Sequence, residues 1–297
     1  MTREQKGRLR NNAVAYSFIL PNFLGFASFT LLPMLAAMWL AFTEWDGAHP
    51  IRWVGLANFR EMFTADFYFW RSLSNTVLYS LATVPATIVC SLVLAIVLNR
   101  RIVGRTVFRT VYFFPYVASL VAVAAVWNLI FHPSMGPVNE LLMRLGMKNP
   151  PRWTADTAWA LPTVIMVSVW RFMGYYMIIY LAALQGIPAY LYEAASIDGA
   201  SPWQQFRRIT LPMLTPTTFF VSVMLTINCF KVFDLILLMT NGGPGYATNV
   251  LVFNVYTYAF RHFRFGYSSA YAMILFVIVL AATLVQFRGE KKWVAYF

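Results

Sequence analysis

Three charged residues sit well inside runs that are otherwise apolar: Arg171, Lys231 and Asp234. A charge in the hydrocarbon of a bilayer is costly unless it faces water or a partner. Lys231 and Asp234 are three residues apart, which puts them on one face of a helix. That spacing predicts a structural ion pair, with contact to a solute or a relay as the alternative role. Arg171, followed by Tyr175 and Tyr176, is expected to face the bundle interior or a water-filled cavity. Asn128 and Asn228 add uncharged polar groups to the same apolar runs. Aromatic rings at such depth can stack on the apolar faces of sugar rings, and amides can pair with hydroxyls. This is the chemistry of a pathway, not of bond cleavage.

Other chemistry is missing from the chain. There is no phosphate-binding G-x-x-x-x-G-K-[ST], no H-E-x-x-H and no G-x-S-x-G. No Glu falls in an apolar run, whereas a proton-driven carrier usually buries Asp, Glu or His in a relay. His49, His132 and His262 are far apart and lack ligand spacing, so no metal is expected. Cys90 and Cys229 both lie inside apolar runs and suggest no disulfide framework. The chain therefore reads as no enzyme, and any transport it performs draws energy from another subunit.

The elements that must position these residues follow from composition. Of the 297 residues, 60% are hydrophobic and 11% charged, against roughly 25% charged in soluble domains. Six stretches can each cross a bilayer, which takes about 20 residues. Their cores are expected near 15–42, 74–98, 110–131, 159–184, 214–239 and 268–287. The fold class is an all-α integral membrane protein of six transmembrane helices. The first run is longer than the roughly 7–15 residues of a signal peptide core, so it is expected to be a retained span.

With the N-terminus inside, the inner segments (1–13, 100–109, 185–210, 288–297) hold 13 Lys and Arg in 59 positions. The outer loops (44–71, 132–157, 241–267) hold 8 in 81. This bias predicts both termini in the cytoplasm. The expected layout is a cytoplasmic segment 1–13, a single permease domain 14–290 and a cytoplasmic tail 291–297. The +12 net charge is assigned to topology and to attraction for anionic lipid, with no nucleic-acid partner.

One polar island interrupts the apolar pattern: "EAASIDGASPWQQFRRITLPML", residues 193–214. Pro188 suits a first helical turn, and "AYLYEAASID" continues with good helix formers. Gly199 suits the left-handed residue that ends a helix. Ser201 with Pro202 and Gln204 reads as the capped start of another helix. Trp203, Phe206 and Ile209 then share one side, and Pro212 is expected to restart the chain for the fifth span. A fixed helix–turn–helix points to a partner protein; a solvated loop on the headgroups is the alternative.

These residues resemble the signature loop of binding-protein-dependent ABC importer permeases. Glu193-Ala194-Ala195, Gly199 and Ile209-Thr210-Leu211-Pro212 stand at that family's spacing. The stretches "NTVLYSLATVPATIVCSLVLAIVLNR" (75–100), "GRTVFRTVYFFPYVASLVAVAAVWNLIF" (104–131), "LAALQGIPAYLYEAASIDGA" (181–200) and "FKVFDLILLMTNGGPG" (230–245) resemble its sugar-importing branch. The likeness is best to the maltose-type "F" permease and to lactose- and multiple-sugar-type relatives. It departs from the maltose permease in having neither extra N-terminal spans nor a large insertion.

The resemblance implies the type I importer permease fold in the cell membrane. It also implies a second permease subunit, two ATPase subunits that bind the ATP and Mg, and an extracytoplasmic sugar-binding protein. The loop 185–210 would be the coupling element, with Glu193, Ala194, Ala195, Asp198, Gly199, Ser201 and Pro202 meeting an ATPase. The family's sugar-contacting positions fall near Ser168, Tyr175, Leu225, Asn228, Cys229 and Val232, and only Tyr175 keeps the maltose-type residue. The pathway candidates are therefore Tyr175, Asn228, Arg171, Lys231 and Ser168, and the substrate a small carbohydrate. The recurrence of "FKVFD" in the branch implies that Lys231 and Asp234 form a structural pair. Two alternatives stand beside this reading: the same machine for another polar solute such as a glycerol phosphate ester, and a membrane scaffold without a pathway.

The orientation has a direct check. In a background lacking Cys90 and Cys229, a cysteine at Ser134 should react with an impermeant thiol reagent added to whole cells, and one at Ser201 should not. Labelling of position 201 from outside would invert the topology.

Overall fold

The computed structural model describes residues 3–100 and 102–294. Nearly all its regular structure is helical, and by contact density the chain divides into two compact units. One comprises Met1–Ala65 with Val255–Ile274, the other Asp66–Asn254 with Leu275–Phe297.

The first unit opens with α1 (Arg3–Phe26), a π-helical turn (Ala27–Leu31) and α2 (Leu32–Leu40). No residue from 14 to 40 is buried. An apolar helix that covers none of itself within its own chain is left to lipid or another subunit. A two-stranded antiparallel hairpin follows, β1 (Thr43–Glu44) against β2 (Arg52–Trp53), and then α3 (Ala57–Thr64). Buried Asn58 of α3 donates to the carbonyls of Ala41 and Thr43, both at 2.9 Å. The chain end of this unit returns against the hairpin. Phe265 N–H bonds Trp45 O at 2.9 Å, and Arg264 grips Glu61 through two bonds of 2.8 and 2.7 Å.

The second unit is built on α4 (Phe67–Asn99) and α8 (Ala160–Gln185), the most extensively packed pair. Asp66 caps α4 by accepting from the amides of Tyr68 and Phe69. Its buried face carries Ser72, Thr76, Ser80, Thr83, Thr87 and Ser91, with Tyr79 among them. These spacings of three and four put small hydroxyl residues along one stripe, and small side chains let helices approach closely.

Against this pair lie α5 (Arg105–Val117), α6 (Leu120–Ile130), α12 (Thr215–Phe230) and α13 (Asp234–Met239). α7 (Pro137–Arg144) lies in the loop before α8. α9 (Ala189–Ile197), α10 (Pro202–Gln205), a π-helical turn (Phe206–Thr210) and α11 (Leu211–Met213) form the link from α8 to α12. α14 (Leu251–Tyr256) and α15 (Phe265–Trp293) close the chain.

Among the described residues, four helical stretches are long and apolar enough to cross a membrane unbroken: Val14–Leu40, Phe67–Asn99, Ala160–Gln185 and Phe265–Lys291. The third expected run is instead two helices, α5 and α6, meeting at 100°. The fifth also departs from expectation. α12 meets the helix before it at 59°, ends at Phe230, and is separated from α13 by Lys231–Phe233. Apolarity sets how much chain can lie in lipid, but it does not require that chain to stay helical.

Among the glycines of this unit, the tightest backbone contact is at Gly174 of α8. A Cβ there would lie 1.7 Å from the carbonyl oxygen of Tyr112 in α5, an impossible distance. The hydrogen on Gly174 is what lets the two backbones touch. Gly174→Ala should push α5 off α8 at a cost of about 1–3 kcal/mol, seen as earlier thermal unfolding of the detergent-solubilised protein. Gly289→Ala is the control, because a Cβ there meets nothing within 4 Å. Equal melting of the two variants would show that α5 is free to shift.

Candidate functional site

Where the broken helices meet the intact ones, the second unit holds a cavity of about 370 Å³. α8 brings Ser168, Arg171 and Phe172 to it, the spacing of one helical face. α4 contributes Tyr79, and Tyr116 stands near the end of α5. Asn228 comes from the last turn of α12, and Lys231 to Asp234 from the break after it. Tyr79 donates its hydroxyl to Ser168 Oγ at 2.7 Å, and Ser168 donates to Val164 O at 2.8 Å, so the Ser168 hydroxyl proton is already in use. Asn228 Nδ2 reaches Tyr176 Oη at 3.4 Å, which leaves most of the amide's capacity for other partners.

Four of the five pathway candidates, Ser168, Arg171, Asn228 and Lys231, thus line one cavity. Tyr175 stands behind its wall. Its ring stacks on Tyr116 at 4.3 Å and 15°, and meets Tyr176 edge-on at 5.0 Å. Of the further family positions, Val232 lines the cavity, while Leu225 and Cys229 are fully buried in side-chain packing.

The ion pair expected between Lys231 and Asp234 is not formed among the described residues. The expectation assumed a continuous helix, and the helix stops between the two. Lys231 is the residue after α12 (φ −96°, ψ 10°), Phe233 is extended in φ (−142°), and Asp234 begins α13. Both side chains are exposed to the cavity. Ion pairs do form elsewhere, at Asp46–His49, Glu140–Arg144 and Glu61–Arg264. The cavity wall therefore carries two cations, Arg171 and Lys231, against one acid, Asp234.

Sequence reasoning missed Tyr79, Tyr116, Phe172 and the break itself. Tyr79 was findable, because it lies on the hydroxyl stripe of α4. Tyr116 follows Pro115, whose ring marks a helix about to end, although here the helix runs through to Val117.

The link between α8 and α12 has the shape that its sequence spells. α9 starts at Ala189, so Pro188 takes the cap position one residue before the first turn. The helix closes on Gly199 at φ +77°. Ala200 N–H bonds Ala195 O at 2.9 Å and Gly199 N–H bonds Ser196 O at 3.1 Å, the paired bonds of a Schellman turn. Ser201 and Gln204 form the reciprocal capping box, with Pro202 next to the cap. Gln205 Nε2 then reaches back to Ser196 Oγ (2.9 Å), and Tyr192 Oη meets Thr210 Oγ1 (2.9 Å). Pro212 does not restart the chain. The helix passes through it after the π-helical turn and bends at Leu214. Glu193, Ala194, Asp198, Ser201 and Pro202 remain exposed, as do Tyr190, Ile197 and Trp203.

The first unit has a cleft of its own, of about 410 Å³. Its charges are largely matched there. Arg264 holds Glu61, Glu44 faces Arg52 across the hairpin, and Asp46 bonds His49. The backbone N–H and ring of His49 and the amide of Ala48 pull the Asp46 carboxyl below its usual range, and the Asp46 bond raises His49. Matched charges leave little to attract a solute, so the cavity in the second unit is the better pathway candidate.

The chain matches a known family. The model for "Binding-protein-dependent transport system inner membrane component" matches residues 87–293. "Probable ABC transporter permease protein YesP" of Bacillus subtilis is 40% identical, over 97% of this chain and 93% of its own length. "Probable starch degradation products transport system permease protein AmyD" of Thermoanaerobacterium thermosulfurigenes is 31% identical, over 97% and 98%. "sn-glycerol-3-phosphate transport system permease protein UgpA" of Agrobacterium fabrum is 34% identical, over 96% and 97%. A chain in the crystal structure of a bacterial ABC transporter that imports the acidic polysaccharide alginate superposes with a TM-score of 0.85. It is 26% identical, with 98% and 99% of the two chains covered.

The cavity geometry separates two roles that the sequence gave alike to Tyr175 and Asn228. Asn228→Ala should impair uptake about tenfold, the scale of one lost buried hydrogen bond of roughly 1–3 kcal/mol. Tyr175→Ala should also impair it, by removing the ring under Tyr116. Tyr175→Phe keeps that ring and should transport like the parent. Loss of uptake in Tyr175→Phe would mean that the hydroxyl itself meets the solute.

Proposed function

The chain belongs to the binding-protein-dependent inner membrane components and has the type I ABC importer permease fold; from that membership we propose that it forms half the translocation path of an ATP-driven sugar importer. As a member of that family it is a multi-pass permease subunit of the cell membrane. The other half of the path is a second permease subunit. Two ATPase subunits hold the ATP and Mg, and an extracytoplasmic binding protein delivers the sugar. Both termini and the loop 185–210 lie on the cytoplasmic side, in keeping with the Lys and Arg bias.

The observation that carries this reading is the fixed shape of the segment from Ala189 to Met213. It is capped, tied to itself by side-chain bonds, and yet presents Tyr190, Ile197 and Trp203 to the outside at 65%, 87% and 67% exposure. Exposed apolar rings on a rigid loop suit a protein partner. The sugar is supported by the cavity, where the rings of Tyr116 and Phe172 offer stacking and Asn228 offers an amide. It is also supported by the solutes named for AmyD and for the alginate importer. A second reading, a glycerol phosphate ester, draws on Arg171 and Lys231 at the cavity and on the solute named for UgpA. Loaded binding protein and ATP would each favour one state of the path, through their differential affinity for it.

Glu193 is then the acidic contact to a basic residue of the ATPase, and breaking such a pair leaves a charge unpaired. Gly199 has open space around a would-be Cβ, so a side chain there is opposed by backbone conformation alone, at about 1–2 kcal/mol. Glu193→Ala and Gly199→Val should insert normally but lose uptake, with weaker ATPase docking or stimulation in the purified complex. Retention of docking, stimulation and uptake by both variants would remove this loop from the coupling role.

A further inference from the structure

We propose, resting on the importer reading above, that the solute carries an anionic oxygen group, a carboxylate or a phosphate, and that Arg171 receives it with Lys231 as the second cation. The argument begins with charge. Two cations and one carboxylate face the same cavity, and none of the three is in an ion pair among the described residues. At membrane depth such an excess of positive charge is costly unless water or an anion meets it. The cavity volume lies in the range of about 300–1,000 Å³ typical of small-molecule sites.

Arg171 is held for this task. Its guanidinium carbon lies 5.6 Å from the Tyr116 ring centre and 5.7 Å from that of Phe172, so two aromatic rings fix its place. Nη2 makes one long bond, 3.4 Å, to Tyr116 O. Nε is buried and has no partner. A guanidinium presents five donors in a planar fork, and a carboxylate or phosphate accepts two of them side by side. A neutral hydroxyl can take one bond but leaves the charge uncompensated. The arrangement therefore favours a solute that brings its own negative charge. The amide of Asn228 and the rings of Tyr116 and Phe172 remain to bind the rest of the molecule.

Lys231 adds a point charge to the lining of the same cavity. It stands in the break between α12 and α13, where its neighbours' backbone is irregular, and it is an exposed residue of the cavity lining. Asp234, three residues on, limits the excess to one charge. A solute with a single anionic group would bring the cavity to balance.

The test uses the complete transporter in nanodiscs without its binding protein, so that selection by that protein does not enter. Equilibrium binding is measured for three probes: trigalacturonate, its carboxyl-reduced neutral counterpart and sn-glycerol-3-phosphate. At least one anionic probe should bind tenfold or more tightly than the neutral trisaccharide. Arg171→Gln should cut that anion-to-neutral ratio at least tenfold, and Arg171→Lys should restore part of it. Preference for trigalacturonate would identify an acidic sugar. Preference for the phosphate would keep the anion site and sink the sugar reading. Equal binding of neutral and anionic probes, no measurable binding of either anion, or an unchanged ratio in an intact Arg171→Gln complex would overturn the proposal. ATP hydrolysis stimulated by the binding protein, measured separately, reports on the importer reading whichever way the ratio falls.

Discussion

Inside a bilayer, a backbone amide or charged side chain without a partner costs several kcal/mol, and irregular backbone survives there only where it lines a cavity or lies within protein. The break between α5 and α6 and the one between α12 and α13 obey this constraint. The turn between α5 and α6 puts Tyr116 and Leu120 on the cavity, and the turn between α12 and α13 puts Lys231 to Leu235 on it. The broken pieces then hold one another. α6 packs on α13, and Asn128 of α6 donates to Leu238 O at 3.2 Å. Cavity and breaks are thus one feature: the breaks supply the polar lining, and the space they open makes them tolerable.

The same geometry ties the cavity to the capped segment between α8 and α12. α8 carries Ser168 and Arg171 near its middle, and it ends at Gln185, just before the capped segment. Fourteen residues of helix separate Arg171 from Gln185, or about 21 Å at 1.5 Å per residue. A helix of that length moves as a rod. Gly174 brings α5 into backbone contact with this rod, and Tyr116 near the end of α5 stacks on Tyr175. A tilt of α8 driven from the loop therefore shifts Arg171, Tyr175 and Tyr116 together. The Schellman turn and capping box stiffen this segment, because each satisfies backbone groups that would otherwise let it yield.

What was legible in the sequence was what depends on local chemistry. Gly199, Ser201 and Gln204 fix their own backbone, so their roles could be read one residue at a time. The apolar runs gave the rough place of the membrane segments for the same reason, since burial in lipid is a sum over neighbours in sequence. The breaks at Ala118–Ser119 and Lys231–Phe233 were not legible. Neither contains a proline or glycine, and each is stabilised by contacts from distant parts of the chain. Tyr175 stacks on Tyr116 and is not itself in the cavity lining, a difference the sequence did not show because spacing along α8 cannot tell a wall from its backing.

The failure of the Lys231–Asp234 pair follows from the same distinction and bears on mechanism. Had α12 continued, the two residues would have stood one turn apart, each neutralising the other, and the cavity would have kept Arg171 alone. Ending the helix between them turns an internal pair into two separate charges at the rim of an open space. A paired lysine has little left to offer a passing solute, whereas an unpaired one beside water can exchange water for the solute and return to water when the path opens. Transport needs weak, reversible contacts, and a helix broken between two charges is a direct way to provide them. The cost of that break is offset in part by the packing of α6 on α13, where Asn128 donates to Leu238 O.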